Sequence, residues 1–232
     1  MFSKDHFLKF YKGFFIEGGY KVVLKGLGNT LSIAFLALII GMIVGSIIAI
    51  IKINPSKSKF NKVIQKVCDG YVALFRGTPI VVQLLLTYYG LFGSLNISAF
   101  QTAILIFGLN SSAYVSEIIR GGINSVDIGQ TEASRSLGLP FPTTMVRIIL
   151  PQAIKNTLPT LGNEFISLLK ETSVCLFVGV IDLTNAFYTI AFSKIEYFYT
   201  FTFLALSYLI IVIGVTFLFK LIERRMKKSD RN

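Results

Sequence analysis

Leu27–Ile51, LGNTLSIAFLALIIGMIVGSIIAII, is a run of 25 residues without a single charge. At 1.5 Å per residue, about 20 apolar residues cross the hydrocarbon core of a bilayer as a helix, so this run is long enough to span one. Runs of similar character recur along the chain, whereas the short alternating segments of an outer-membrane barrel do not. The composition agrees: 53% of the 232 residues are hydrophobic, 15% are charged, and the mean hydropathy is +0.67. A soluble domain of this length is excluded, and the fold class is all-α, a polytopic membrane helical bundle.

Working outward from that run, the first span starts at Val22 or Leu27 and ends at Ile51, where Asn54 and Pro55 stop it. A basic loop with Lys52, Lys57, Lys59, Lys62 and Lys66 follows. Asn61–Phe92 is too short for two further crossings, so Asp69–Phe92 reads as one long helix interrupted at Arg76-Gly77-Thr78-Pro79, where proline removes a backbone bond and kinks the chain. A short uncharged turn, Gly93–Asn96, leads to a third span over Ile97–Ser116, closed by Glu117 and Arg120. The fourth runs over Leu158–Val180, with Asp182 beyond it as a solvated loop charge, and the fifth over Phe198–Leu221. Residues 21–225 thus form a five-span bundle, with a polar loop at 121–156 and a basic tail at 226–232.

Ahead of the bundle, residues 1–20 place Phe7, Phe10, Tyr11 and Phe14 at helical spacing with Lys4, Lys9 and Lys12 largely opposite. That is the pattern of a short helix lying in the membrane interface. The segment has no continuous apolar stretch followed by a small-residue cleavage site, so a cleaved signal peptide is not expected and the first span is its own insertion signal. His6 reads as a surface residue. The net charge of +11 does not point to nucleic acid, because lysine and arginine gather between and after the apolar runs. The first loop, the polar loop and the C-terminus together hold most of them, which places those three in the cytoplasm and the N-terminus outside. The lysines of the N-terminal segment fit that rule poorly. Cys68 and Cys175 have no metal-ligand spacing and read as packing residues.

The polar loop carries its own start and stop signals. Asp127 can cap a helix with Gln130 reaching back, and Gly138 followed by Pro140 ends it, giving a helix of about ten residues, roughly 15 Å long. Such a helix on the cytoplasmic face is shaped to enter a groove in another protein, although a plain surface connector has the same outline.

Within it, Glu132-Ala133-Ser134, with Gly138 six residues after the glutamate and Leu150-Pro151 farther on, resembles the EAA loop of ABC importer permeases. Ser134 stands where that motif has alanine, keeping a small residue. Gly26-Leu27-Gly28-Asn29-Thr30-Leu31, Leu74–Pro79 with Gln83, Ala113–Glu117 with Arg120-Gly121-Gly122, and Asn163-Glu164-Phe165 with Leu169–Ser173 extend the likeness over about residues 20 to 225. The ordered set resembles the polar amino-acid branch of that family, the histidine, glutamine, arginine and cystine type. The resemblance implies a type I importer fold in the cytoplasmic (inner) membrane and docking of Glu132, Ala133 and Gly138 against a cytoplasmic ATPase subunit. It also implies a second permease subunit, identical or not, and an extracytoplasmic solute-binding protein that delivers the polar amino acid.

Asn156, Thr160, Asn163 or Glu164, Ser167 and Glu171 repeat at helical period on the fourth span, so one face of it avoids lipid. Lys170 and Glu171 fall mid-span, where a charge costs about 2.5–3.5 kcal/mol on insertion scales unless compensated. Arg76, Thr78, Asn163, Glu164, Ser167, Lys170 and Glu171 are the candidate substrate path, whose mixed signs suit a zwitterion. The same charges could instead pair with one another or with a second subunit, and Arg76 could satisfy carbonyls freed by the helix break. The sequence contains no Gly-x-x-x-x-Gly-Lys-Ser/Thr run, metal-spaced set or recognisable nucleophile, so no enzyme and no cofactor is expected. Two other readings remain: a gradient-driven transporter or channel acting without an ATPase, and an ABC importer with a metal, osmolyte or peptide as cargo.

Overall fold

Small residues decide how the bundle is centred. In the computed structural model, which describes residues 4–55 and 58–228, α2 (Gly19–Ile53) crosses α5 (Ala99–Asn124) as the most extensive helix pair. A methyl group at Gly41 would lie 2.8 Å from Ser111 Oγ, at Gly45 2.8 Å from the Ser112 carbonyl, and at Gly108 2.7 Å from Ile40. Between helices surrounded by lipid there is little hydrophobic drive to associate, and such close backbone approach supplies dispersion contacts instead. Ile33, Leu38, Phe107, Leu168, Leu169 and Cys175 fill the core beside this crossing, while Cys68 packs with Ile48, Val72 and Ala113 in a second cluster.

The other elements surround this pair. They are α1 (Lys4–Tyr11, extended by a π turn to Ile16), α3 (Lys59–Gly77), α4 (Ile80–Leu85, extended to Leu91) and α6 (Ile128–Ser136). After α7 (Phe141–Thr144, extended to Ile149) come α8 (Leu150–Glu171, extended by a 3-10 stretch to Val178), α9 (Leu183–Lys194) and α10 (Phe198–Lys228). Among the described residues three helices, α2, α5 and α10, are long and apolar enough to cross a membrane alone; two bent pairs raise the number to five when each is one span.

Several expectations are corrected. The interruption in the second span is no kink: α3 and the helix from Ile80 meet at 103°. Pro79 disfavours the helical region for the residue before it, and Thr78 is extended at φ −122°, ψ 144°. Lys59, Lys62 and Lys66 lie on α3, which Ser58 caps, and not in a loop; Lys57 falls outside the described residues. The third span does not close at Glu117 and Arg120 but continues to Asn124, and helix resumes at Phe141, so little of the 121–156 segment is loop. The fourth does not end in solvent. Gly179 turns the chain at φ +76°, and Asp182, fully buried, accepts the Thr184 and Asn185 amides to start α9 at 50° to the preceding helix. The basic tail is helical through Lys228, and the part beyond it lies outside the described residues. His6 is half-buried rather than fully on the surface.

Candidate functional site

The polar segment after α5 builds a projecting helix from local signals. Asp127 Oδ1 accepts the Gly129 amide at 2.7 Å, so the cap closes on the second residue of α6 and not through the expected box with Gln130. At the other end Gly138 takes φ +75°, and the Gly138 and Leu139 amides return to the Arg135 and Ser134 carbonyls at 2.9 and 3.0 Å. Pro140 then caps the next helix, α7. Ser134 is 3% exposed and its hydroxyl donates to the Gln130 carbonyl at 2.6 Å, which explains a small residue at this position. Glu132 and Ala133 point away from the chain, and Ile128 and Leu137, 74% and 80% exposed, stand at the two ends of the helix. A nine-residue helix with an apolar side chain uncovered at each end is a shape made to be covered.

The corner between α3 and α4 is the second constructed feature. Breaking a helix frees carbonyls that must be satisfied within the protein. Gln83 Nε2 donates to the Phe75 and Thr78 carbonyls, each at 3.0 Å, and to Thr78 Oγ1 at 2.8 Å; Thr78 Oγ1 in turn donates to the Leu74 carbonyl at 2.9 Å. Asn110 of α5 completes the set, donating to the Phe75 carbonyl at 2.9 Å and to Gln83 Oε1 at 3.1 Å. Thr78 therefore belongs to the corner. Arg76 is not what satisfies these carbonyls, because its guanidinium lies over the Tyr114 ring, 5.1 Å from the centroid.

That arginine edges a cleft of about 430 Å³ between α3, α5 and α8, lined by Arg76, Tyr114, Glu117, Ile118, Gly121, Gly122, Ser125, Asn156, Thr157 and Thr160. It offers a cation, an aromatic face, a carboxylate, hydroxyls and an amide. Asn156 Nδ2 donates to Ser125 Oγ at 2.9 Å across it. Of the candidate path residues only Arg76 borders this cleft, together with Asn156 and Thr160 from the polar stripe of α8. The rest of the stripe runs on along α8. Asn163 and Lys170 are exposed, Ser167 and Glu171 are half-buried, and Glu164 Oε1 accepts the Ser111 hydroxyl at 2.7 Å, tying α8 to the central crossing.

Glu117 anchors one wall. Its Oε1 meets Lys52 Nζ at 2.7 Å and its Oε2 meets Arg120 Nη2 at 2.6 Å, while Lys52 also reaches Asp69 Oδ1 at 2.9 Å. With Lys52 and Glu117 only 14% and 19% exposed, this cluster joins α2, α3 and α5 at one end of the bundle. Neither the cluster nor the Gln83–Asn110 pair is evident in the sequence, although an amide inside an apolar run, as at Asn110, is a signal for a buried polar role.

Comparison with known proteins gives a consistent result. Residues 37–228 match the family described as binding-protein-dependent transport system inner membrane component. The arginine transport system permease protein ArtQ of Bacillus subtilis (strain 168) is 40% identical over 90% of this chain and 94% of its own length. The putative glutamine transport system permease protein GlnP of Rickettsia typhi (strain ATCC VR-144 / Wilmington) is 38% identical over 88% of this chain and 92% of its own. Among solved structures, an amino acid ABC transporter crystallised with histidines superposes with a TM-score of 0.82 at 42% identity, covering 89% of this chain and 94% of that one. The inward-facing MetNI methionine ABC transporter shares the fold, with a TM-score of 0.75 at 18% identity over 88% of this chain and 96% of that one.

Proposed function

We propose a specific transport role for this chain, which belongs to the family of binding-protein-dependent transport system inner membrane components: it is the permease through which an ATP-driven importer passes a polar amino acid. As a family member it is a multi-pass inner-membrane permease subunit and not itself catalytic. The observation that carries the proposal is α6, capped by Asp127, stopped by the left-handed Gly138, and exposing Ile128 and Leu137 with Glu132 and Ala133. An ATPase subunit closing on that helix would move α5 and α8, to which it is joined by only a few non-helical residues on each side. Glu132, Ala133 and Gly138 are then the coupling residues.

The cargo class is supported by relatives named for arginine, glutamine and cystine transport, and by the mixed polarity of the Arg76–Tyr114–Glu117 cleft. A zwitterion presents a carboxylate and an ammonium within a few ångströms, and a wall with a cation beside hydroxyls and an amide can meet both. On this reading Arg76 lies on the path, and Asn163, Glu164, Ser167, Lys170 and Glu171 continue it along α8, with Thr78 holding the corner that Arg76 hangs from. A facing second permease subunit, identical or not, encloses the path, and an extracytoplasmic solute-binding protein feeds it.

The test is purification of the full chain from its native membrane in mild detergent, with mass spectrometry of what accompanies it. A stoichiometric ATPase bearing a phosphate-binding loop, lost when Glu132 and Gly138 are both replaced, is the expected result. A protein that purifies alone and supports gradient-driven flux in vesicles would overturn it.

A further inference from the structure

Five exposed lysines, Lys4, Lys9, Lys12, Lys21 and Lys25, crowd the end of the bundle at which α2 begins. The α6 end lies a full 35-residue helix away. Of the acids there, Glu17 is engaged by Lys194 of α9, and Asp5 stands on α1 one turn before Lys9. The lysines surround α1, whose circumference divides into three sectors. Phe10, 1% exposed, stacks on Phe203 of α10 at 4.5 Å, and Phe14 stacks on Phe187 of α9 at 6.1 Å, so one sector is fixed to the bundle. Phe7, Leu8, Tyr11 and Phe15 form a second sector, between 44% and 53% exposed, at whose edge Phe7 meets the Tyr199 ring of α10 at 5.5 Å. Lys9 and Lys12 occupy the third together with Asp5, and Lys4 opens the helix one turn before Phe7 and Leu8.

A helix fixed along one side to membrane spans cannot leave the bilayer boundary. Its uncovered apolar sector then lies at the depth of the acyl chains and its lysines at the depth of the phosphates, the layered arrangement of an in-plane anchor. With Lys4, Lys9 and Lys12 against one acid, Asp5, α1 keeps a net positive charge, and such a segment favours lipids of net negative charge. We infer that α1 is a headgroup-level anchor that recruits anionic phospholipid to this end of the protein, through the phosphodiester groups seen by Lys4, Lys9 and Lys12. This accounts for lysines on the side where the distribution of basic residues places few. The inference stands on α1 alone and does not depend on the transport reading.

The chain contains no tryptophan, so Leu8→Trp creates a single optical reporter on the uncovered sector. The full chain carrying it is reconstituted in phosphatidylcholine vesicles in which a minor fraction of one lipid, phosphatidylglycerol or phosphatidylcholine, is brominated on its acyl chains. Brominated phosphatidylglycerol should quench at least about twofold more strongly than the same fraction of brominated phosphatidylcholine, since each surface lysine favours anionic lipid severalfold. That preference should vanish in K4Q/K9Q/K12Q, shrink in about 0.5 M salt, and survive K59Q/K62Q/K66Q, which removes three exposed lysines of α3 from the opposite end. Phe15→Trp, on the same sector, repeats the measurement should Leu8→Trp disturb the helix. Equal quenching by the two lipids overturns the inference, as does a preference that persists without Lys4, Lys9 and Lys12. Absence of quenching by either lipid, which would mean that protein covers this sector, overturns it too.

Discussion

Adjacent glycines near the end of α5 should respond in opposite directions to the same substitution. A methyl group on Gly121 meets nothing within 4 Å, whereas one on Gly122 would lie 2.0 Å from Thr157 Cγ2 and 3.1 Å from the Ala153 carbonyl. In an open helical position, alanine for glycine is favourable by roughly 0.5–1 kcal/mol. At Gly122 that gain is overridden, because Thr157 is buried, β-branched, and held by its hydroxyl's 3.0 Å bond to the Ile154 carbonyl, so it cannot rotate away freely. Inserting a methyl into a packed contact costs about 1–3 kcal/mol, leaving Gly122→Ala destabilised by about 0–2.5 kcal/mol after the propensity gain. The decisive variant is Gly122→Ala with Thr157→Ser, which deletes the methyl at 2.0 Å; the next threonine atom, Cβ, is 3.5 Å away. Thermal unfolding of the purified protein in detergent, followed by size-exclusion recovery, should rank Gly121→Ala at or above wild type, Gly122→Ala lowest, and the double variant above Gly122→Ala. Two alanine variants that unfold together, or a double variant no better than Gly122→Ala, would refute a direct α5–α8 backbone approach.

The Gln83–Asn110 pair predicts coupled costs: because both donate to the Phe75 carbonyl, Gln83→Ala and Asn110→Ala should each cost about 1–3 kcal/mol and be non-additive in the same assay, and additive costs would show them independent. Glu117→Ala leaves Lys52, 14% exposed, with Asp69 alone, so unfolding should be easier by about 1.5–3 kcal/mol, and an unchanged midpoint would mean that the cluster contributes nothing. Gly138→Ala at φ +75° should loosen the end of α6 by about 1–2 kcal/mol and weaken capture of the ATPase subunit, with Gly138→Asn milder; equal capture by both variants and wild type removes any need for the left-handed stop.

What the sequence made legible was whatever depends on composition over a full crossing. The charge-free Leu27–Ile51 run sets α2, and the apolar stretch from Phe198 sets α10, because about 20 apolar residues in a bilayer admit almost no other structure. The capped and stopped helix α6 was also legible, since Asp127 and Gly138 act within a few residues of themselves. The right-angle corner was not, because Pro79 favours a break but does not set its angle. Gln83 and Asn110, 27 residues apart, set that arrangement by meeting in space. For the same reason Asp182, which looks like a loop charge, is a buried cap for a helix the hydropathy pattern did not announce. Glu117 and Arg120 looked like a membrane boundary because Lys52, which pairs with Glu117, and Asp69, which pairs with Lys52, stand on other helices.

These residues share a physical logic. Each polar group that breaks the apolar pattern is placed where backbone is left unsatisfied or where helices must be held in register. The Gln83–Asn110 corner, the Asp182 cap, the Glu164–Ser111 tie and the Lys52–Glu117–Arg120 cluster all fix the relative positions of α2, α5 and their neighbours. By contrast, the exposed residues of α6, Glu132 and Ala133 among them, face outward. A push on α6 would therefore be carried into α5 and α8 as rigid bodies, with the 125–127 and 137–140 segments as the non-helical joints on either side. Altering the Gly138 joint and releasing the Glu117 cluster should then act on different quantities. The first should change how transport depends on the proposed ATPase partner, and the second how stable the isolated bundle is.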